Sequence, residues 1–323
     1  MVDLQRVAID VDPADVLAIT SDVLILKHAQ VSLGVDAAAK ERLGLDLEMD
    51  LRPGGQLVVR SPEKVGPSNV VFLGVPPLSD FGYTEIRLFG RRAVSLAVAE
   101  FPDCQDLALT LHGVGYGLDE AACFEAELAG IVEGIEGRTA GSLKRVSIVE
   151  LDEQRAERLR IRLEEAIPTS RLTGSLTSTS MGEISKGLRR STEATAATRD
   201  HAFVAMPFSQ EFEDIFHYAI EPAVHKSGLL CERIDEQAFT GSIPERIKER
   251  IRSATLVVAD LTDANPNVYL EVGFAWGAEV PTVLLRHDGS DLKFDVQSER
   301  CISYSTIRHL EQRLTDELRR LVE

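Results

Sequence analysis

Residues 256–277, with the sequence LVVADLTDANPNVYLEVGFAWG, predict a strand, a short loop and a helix. The apolar run that ends at Asp260 is typical of a buried strand. Asn265 is a good helix N-cap, and Pro266 suits the first helical position because proline has no N–H to leave unpaired. The helix that follows is apolar or glycine except for Glu271. A helix that is apolar all round is normally buried, so this lone carboxylate needs an explanation.

The same alternation of strands and helices runs through most of the chain and predicts an α/β fold. Before residue 168, the pattern predicts strands at 23–26, 56–60, 69–74, 107–111 and 145–149 and helices at 85–100, 120–136 and 153–167. After residue 200, it predicts strands at 201–208, 229–233, 256–260 and 282–286 and helices at 211–227, 243–253, 267–279 and 307–322.

Residues 168–200 separate these two patterns. The segment is rich in Ser and Thr and poor in large apolar residues, which is typical of a linker. We therefore predict two three-layer α/β domains, at 1–167 and 201–323, joined by this linker. At 323 residues and 44% hydrophobic, the chain is large enough for two cores.

The composition limits the partners. The net charge of −17 argues against general binding to nucleic acids or anionic membranes, although a small anionic ligand needs only local N–H groups and a few cations. The four cysteines are scattered without zinc spacing, so no metal site is predicted and reduced thiols are expected. The start of the sequence lacks the features of a signal peptide, and no apolar run is long enough to span a bilayer. We expect a cytoplasmic protein.

In open α/β sheets, ligands bind beyond the carboxyl ends of the strands. Several candidate site residues follow the strands of the second half of the chain. A glycine-serine turn precedes the helix that starts at residue 243, where backbone N–H groups could bind a phosphate. The candidate catalytic residues are Glu271, Asp260 and Asp235, and the candidate substrate-binding residues are Met206, Pro207, Phe208, Gly241, Ser242, Asp263, Asn265 and Asn267.

A carboxylate near a helix start at such an edge suits one kind of chemistry. It can attack an anomeric carbon or stabilise the oxocarbenium-like transition state of a breaking glycosidic bond. Apolar surroundings raise the pKa of such a group and the helix N-terminus opposes that shift. Glu271 is therefore the predicted reacting acid. A solvent-facing helix residue is the alternative interpretation, and Trp276 is predicted to be core.

The motifs FVAMPF, FTGSIPERIKERIRSATLVVADLTDANPNVYLEVGFAWG and PTVLL resemble the nucleoside 2-deoxyribosyltransferase-like group, a relative of TIR domains. The resemblance covers roughly residues 202–285 and implies a flavodoxin-like parallel sheet. It also implies cleavage or exchange of the N-glycosidic bond of a nucleoside, a nucleotide or NAD, with the family's nucleophile on Glu271. Two family aspartates are replaced, by Thr255 and Asn265. The acid partner therefore stays open among Asp260, Asp263, Asp235 and Glu245.

Residues 20–150 resemble the N-terminal domain of leucyl-aminopeptidase-type proteins, which has a macro-domain-like fold. The peptidase's metal-binding domain has no counterpart here, so peptidase activity is not implied. Within HGVGYGLDE, Gly113, Gly115 and Gly117 lie between a predicted strand and a predicted helix. They form a possible second ligand site, because macro domains bind ADP-ribose with such a loop. The alternative is a tight strand-to-helix turn.

These observations support two hypotheses. In the first, the C-terminal domain is an N-glycosidase or ribosyl-transfer enzyme that takes NAD or a nucleoside phosphate as its substrate and needs no cofactor. The N-terminal domain would then sense a ligand or mediate assembly, with a homo-oligomer expected. The resemblance implies a role in bacterial antiviral defence. In the second hypothesis, both domains bind nucleotides without turnover and the protein signals by changing its assembly.

Overall fold

The computed structural model describes residues 7–29, 34–46, 51–60, 63–137, 142–167, 200–234, 243–290, 296 and 299–322. The chain forms two compact units. The first comprises Met1–Val114 and Glu120–Ala197, and the second comprises Gly115–Asp119 and Thr198–Glu323. Except for Asp200, the predicted linker at 168–200 lies outside the described residues.

The first unit contains a six-stranded sheet and four α-helices among its described residues. The strands are β1 (Ala8–Pro13), β2 (Val23–His28), β3 (Gln56–Arg60), β4 (Asn69–Gly74), β5 (Asp106–Leu109) and β6 (Arg145–Glu150). The helices are α1 (Val35–Leu43), α2 (Tyr83–Glu100), α3 (Glu120–Glu136) and α4 (Glu153–Ala166).

The strand order of this sheet is β1-β6-β5-β2-β4-β3. Neighbouring strands are parallel except for β3, which pairs with β4 in the antiparallel sense. The central strand β2 is buried along its whole length, as expected for a parallel strand that is covered on both faces. Leu24 and Leu26 pack in a cluster with Phe72 and with Ala39 of α1, which covers one of these faces.

Helices α2 and α3 pack with their backbones unusually close together. A Cβ atom on Gly90 of α2 would lie 2.7 Å from the carbonyl oxygen of Glu127, and one on Gly130 of α3 would overlap the carbonyl oxygen of Arg87. Nothing larger than glycine fits these positions without moving a helix. α3 is buried over most of its surface, which explains its high content of Ala and Gly.

The second unit contains a five-stranded sheet. Its strands are β7 (His201–Ala205), β8 (Leu230–Glu232), β9 (Leu256–Asp260), β10 (Thr282–His287) and β11 (Cys301–Tyr304). Its helices are α5 (Gln210–Ile215), α6 (Glu221–Lys226), α7 (Ile243–Ser253), α8 (Pro266–Gly277) and α9 (Ile307–Val322), and a π-helical segment at Phe216–Ile220 joins α5 to α6.

This sheet is parallel throughout and has the order β11-β10-β9-β7-β8. Counted from β7, the order is 2-1-3-4-5, which is the flavodoxin-like arrangement that the resemblance of residues 202–285 implies. Alternate residues of β7 face two separate cores. Val204 packs with Phe216 and with Leu314 of α9, whereas Phe203 packs with residues of α7 and α8. The unit is therefore a three-layer α/β structure, and the predicted fold class is confirmed.

The π-helical segment interrupts what the sequence predicts as one helix at 211–227. Pro222 lies just after it and has no N–H group, and its ring would clash with the carbonyl four residues earlier in a regular α-helix. A wider turn accommodates the proline without breaking the helix. Such π-turns are frequent at functional sites.

Three elements were not predicted from the sequence, namely β1, α1 and β11. Trp276, predicted to be core, is 39% exposed, and Leu270 on the same helix is 73% exposed. α8 is therefore not buried all round, because one of its faces is open. Within the described ranges, no helix is both long and apolar enough to cross a membrane.

Candidate functional site

The strand order of the second unit defines where a ligand would bind. The chain passes from β7 to β8 on one side and from β8 back across β7 to β9 on the other. The connections that leave β7 and β9 therefore run in opposite directions, which opens a crevice outside the carboxyl ends of these two strands. The loop after β7 begins with Met206, and the loop after β9 leads to the helix that carries Glu271.

Asp260, at the end of β9, is 1% exposed and accepts hydrogen bonds on both carboxylate oxygens. The backbone N–H and the hydroxyl of Thr262 donate to Oδ1, the N–H at 3.0 Å, and the hydroxyl of Tyr304 donates to Oδ2 at 2.7 Å. The N–H of His287 donates to Thr262 Oγ1 at 3.0 Å. Asp260 thus ties together the carboxyl ends of β9, β10 and β11.

These surroundings raise the pKa of both Asp260 and Tyr304. Burial raises the pKa of Asp260, and the hydrogen bonds from Thr262 and Tyr304 offset the shift only in part because their donors are neutral. Burial and the nearby Asp260 carboxylate raise the pKa of Tyr304. Tyr304 therefore remains a donor over the physiological range.

The loop after Asp260 is held in an uncommon conformation. Ala264 has a φ of 50°, in the left-handed region that alanine rarely adopts. The side chain of Asn265 then caps α8 by accepting the N–H of Asn267 at 2.9 Å, as predicted. Asp263 is exposed. Such a backbone outlier at a strand end motivates a functional interpretation of the loop.

Glu271 lies between the buried and the open faces of α8. Val268 and Val272 are buried against the sheet, whereas Leu270 is exposed. Glu271 is half-buried. Because Cα–Cβ bonds tilt toward the N-terminus of a helix, the side chain of a second-turn residue leans toward the helix start, which here follows the carboxyl end of β9.

On the other side of the crevice, the loop after β7 meets an arginine that follows β8. Met206 and Pro207 are buried and Phe208 is half-buried. The guanidinium of Arg233 lies 4.6 Å from the ring centroid of Phe208 and 4.0 Å from that of Phe216 in the π-helical segment. Arg233 Nη1 is 3.7 Å from the sulfur of Met206.

A chain of charged groups continues from this arginine. Arg233 Nη2 donates to Glu213 Oε1 at 2.8 Å, and the other oxygen of Glu213 lies 3.4 Å from His217 Nε2. His217 Nδ1 pairs with Glu221 Oε2 at 3.0 Å. Burial alone would raise the pKa of Glu213, but the hydrogen bonds and charges of His217 and Arg233 outweigh it and lower the pKa to about 2.

Several predicted residues cannot be placed. Asp235, Glu236, Gly241 and Ser242 lie outside the described residues. Glu245, at the start of α7, is exposed and pairs with Lys248 at 2.8 Å. Within the described ranges, no group of three or more His, Cys, Asp or Glu side chains is arranged to hold a metal ion.

The three glycines of the possible second ligand site divide between the units. Gly113 belongs to the first unit and has a φ of 96°. Gly115 and Gly117 belong to the second unit, where Tyr116 forms an antiparallel bridge with Ile234. Gly117 has a φ of 90°, and a Cβ atom there would lie 2.5 Å from the Ile234 side chain. The turn geometry and the packing thus account for Gly117 without a ligand.

The first unit has its own crevice, between β2 and β5, whose following connections also diverge. At the end of β2, the ring of His28 lies 2.7 Å from the buried ammonium of Lys40. Burial lowers the pKa of Lys40. After β5, His112 pairs with Glu127 at 3.1 Å, and its Nε2 atom is buried without a partner among the described residues.

Sequence reasoning missed Arg233, Glu213 and Tyr304 as members of the site. Arg233 could have been noticed, because it is the charged residue that ends a predicted strand at the same edge as Asp260. The four-residue spacing of Glu213, His217 and Glu221 also predicts one helical face. Tyr304 gave no signal, because its strand was not predicted.

No family profile matches this sequence, and no match was found among curated proteins. Among solved structures, the N-terminal half is similar to macrodomains. An Oceanobacillus iheyensis macrodomain with ADP has 16% identity and a TM-score of 0.42, with 52% of this chain and 95% of that chain covered. A Trypanosoma brucei macrodomain in complex with ADP-ribose has 18% identity and a TM-score of 0.40, with 49% and 69% covered. Because both TM-scores are below 0.5, the α/β fold of the first unit is argued from its own strand order, described above.

Proposed function

We propose that the second unit binds a nucleotide, such as NAD or a nucleoside phosphate, and cleaves or exchanges its N-glycosidic bond. The observation that carries this proposal is the position of Glu271. It is a half-buried carboxylate in the second turn of a helix that starts at the topological switch point of a flavodoxin-like sheet. The resemblance of residues 202–285 to deoxyribosyltransferase-like proteins supports the same chemistry.

In the proposed reaction, a Glu271 oxygen attacks the anomeric carbon of the sugar. The base leaves with the electron pair of the N-glycosidic bond and takes up a proton. Water, or the base or hydroxyl of an acceptor, then attacks the same carbon, releases the carboxylate and loses a proton. If no covalent bond forms, the same carboxylate stabilises the oxocarbenium ion while water attacks.

Asp260 has a different role in this proposal from the one that the sequence suggests. Its oxygens already accept hydrogen bonds from Thr262 and Tyr304, so it shapes the loop that leads to α8. Asp235 remains the other candidate for holding the ribose hydroxyls. The N-terminal unit would sense a ligand or mediate assembly, in keeping with a role in antiviral defence.

A second candidate function is nucleotide binding without turnover. The hydrogen bonding of Asp260 favours it, because an acid that is fully engaged by its own loop is poorly suited to assist a leaving group. Both units have a switch-point crevice in which a nucleotide could bind. The protein would then signal through a change in assembly.

The test is to incubate the purified protein with NAD and with a panel of nucleosides and nucleotides, and to measure free base by HPLC. We expect base release from at least one compound, and a loss of about 1,000-fold or more in Glu271→Gln, since the amide cannot act as a nucleophile. Glu279→Gln, an exposed position at the end of the same helix, is the matched control. Base release by Glu271→Gln at the wild-type rate would refute the mechanism. Binding without any product would favour the second candidate.

A further inference from the structure

Arg233 is held more firmly than its position at a strand end requires. Its guanidinium lies 4.6 Å from the ring centroid of Phe208 and 4.0 Å from that of Phe216, and its side chain is 13% exposed. A cation over an aromatic ring gains roughly 0.5–2 kcal/mol, depending on desolvation. Contacts with two rings therefore restrict the guanidinium before any ligand arrives, which lowers the entropy cost of binding.

The hydrogen bonds of Arg233 use only part of its donor set. Nη2 donates to Glu213, and Nη1 faces the weak acceptor sulfur of Met206. A guanidinium has five N–H donors, so the remaining ones are available within the part of the chain that the structure describes. Glu213 also neutralises the positive charge of Arg233 when no ligand is bound.

Arg233 follows β8, the strand beside the crevice, on the face of the sheet that Phe216 covers, whereas α8 covers the other face. β8 lies beside β7, and β7 lies beside β9. With a strand spacing of about 4.8 Å, the strand ends that carry Arg233 and Asp260 are about 10 Å apart. A nucleotide that places its sugar near the β9 side could therefore reach the β8 side with its phosphate.

We infer that Arg233 selects phosphorylated nucleotides over nucleosides by binding the phosphate group. The inference rests on the proposed function for the position of the sugar, near Glu271. Arginine suits this task because its planar fork can donate two parallel hydrogen bonds to phosphate oxygens. The π-helical segment contributes by placing Phe216 over the fork and His217 beside Glu213.

The test compares the binding of matched pairs by calorimetry, with adenosine and AMP, guanosine and GMP, and thymidine and dTMP as probes. We expect the wild-type protein to bind the phosphorylated member of at least one pair about 10- to 100-fold more tightly, as for hydrogen bonds to charged groups. Arg233→Gln should abolish this preference by weakening the binding of the phosphorylated member more than that of the nucleoside. Arg233→Lys, which keeps the charge but not the fork, should retain a smaller preference.

Arg250→Gln is the matched control. Arg250 is also a half-buried arginine of this unit, paired with Glu232 on the opposite face of the sheet, so its loss should leave the phosphate preference intact. The inference is overturned if no pair shows a preference in the wild type. It is also overturned if Arg233→Gln retains the preference or weakens both members of a pair equally. If Arg233→Gln does not fold, a full wild-type preference in Arg233→Lys overturns the inference.

The proposed function is tested separately by base release. Phosphate preference without base release would count against the chemistry of Glu271 and not against Arg233. Base release without phosphate preference would count against Arg233 alone.

Discussion

Two regions at the same edge of the second sheet each hold a carboxylate, and they hold it by different means. After β9, buried Asp260 accepts hydrogen bonds from the neutral donors Thr262 and Tyr304, and its pKa is raised. After β7 and β8, Glu213 interacts with Arg233 and His217, and its pKa is lowered to about 2. Neutral donors hold a loop in place without requiring a charge, whereas the contacts with Arg233 and His217 keep Glu213 ionised until the pH falls toward 2.

The two groups of residues therefore have different roles. The Asp260 cluster, which consists of Asp260, Thr262, Tyr304 and His287, joins three strand ends and sets the path of the loop into α8. The Arg233 cluster, which consists of Arg233, Phe208, Phe216, Glu213 and His217, follows the strand beside the crevice, and Arg233 is the residue that we propose binds a phosphate. The two clusters should therefore respond differently to mutation and to pH.

Within the two clusters, the largest effect on stability is expected from Asp260→Ala. The substitution leaves the Tyr304 hydroxyl and the Thr262 donors without their acceptor in a buried place, at about 1–3 kcal/mol for each unsatisfied group. We expect the free energy of unfolding in urea to fall by about 2–4 kcal/mol. Asp263→Ala, an exposed acid in the same loop, should change it by less than about 0.5 kcal/mol. Equal effects at the two positions would contradict the structural role of Asp260.

A smaller effect, which depends on pH, is expected at Glu213. Its pKa in the folded protein is about 2, against an ordinary value of 4.5, so its contribution is present above pH 4.5 and is lost as the pH falls toward 2. The upper limit is on the order of 2–3 kcal/mol, and partial exposure reduces it. The difference in unfolding free energy between the wild type and Glu213→Gln should be measured in urea at pH 7, 5 and 3.

In the same experiment, the unfolding free energy should depend on pH in the opposite sense at Asp260. Its pKa is raised in the folded protein, so protonation favours the folded state as the pH falls through that value. The wild type should therefore gain stability relative to Asp260→Asn between pH 7 and pH 4, while it loses stability relative to Glu213→Gln below pH 4.5. If the two differences in unfolding free energy changed with pH in the same direction, the proposed difference between the clusters would be wrong.

The smallest effect is expected on the open face of α8. A Cβ atom on Gly273 would have no neighbour within 4 Å, so Gly273→Ala should stabilise the protein by about 0.5–1 kcal/mol through helix propensity. The matched change in the first unit is Gly130→Ala, which should be strongly destabilising because its Cβ would overlap the α2 backbone. Thermal melting of both variants would check the pair. A loss of stability in Gly273→Ala would show that another group lies close to this face.

Local signals predicted the β9–α8 unit well. The buried run before Asp260 and the Asn265–Pro266 start are properties of short segments, and both appear in the structure where they were expected. The short strand β11 was missed because it depends on pairing with β10 more than on its own four residues. α1 was missed because its apolar and polar residues do not separate into two faces, and because the charged residues Asp36 and Lys40 are buried in it.

Tertiary structure determined the rest of the candidate site. Trp276 is exposed although its helix is apolar, because only one face of α8 meets the sheet. Arg233 acquires its role from Phe208 and Phe216, which are distant from it in sequence. Glu271 remains the predicted reacting acid, and the open face of its helix explains how a carboxylate is tolerated there.

The π-helical segment has a consequence for how this protein could change in length. Its wide turn contains more residues than an α-helical turn, so deletion of one residue from Phe216–Ile220 could be absorbed by reversion to a regular helix. Because a π turn completes nearly the same rotation as an α turn with one residue more, α5 and α6 would keep close to their present orientation after the deletion. The Arg233 cluster would therefore depend on which side chain is removed, and it would be lost if that side chain were Phe216 or His217.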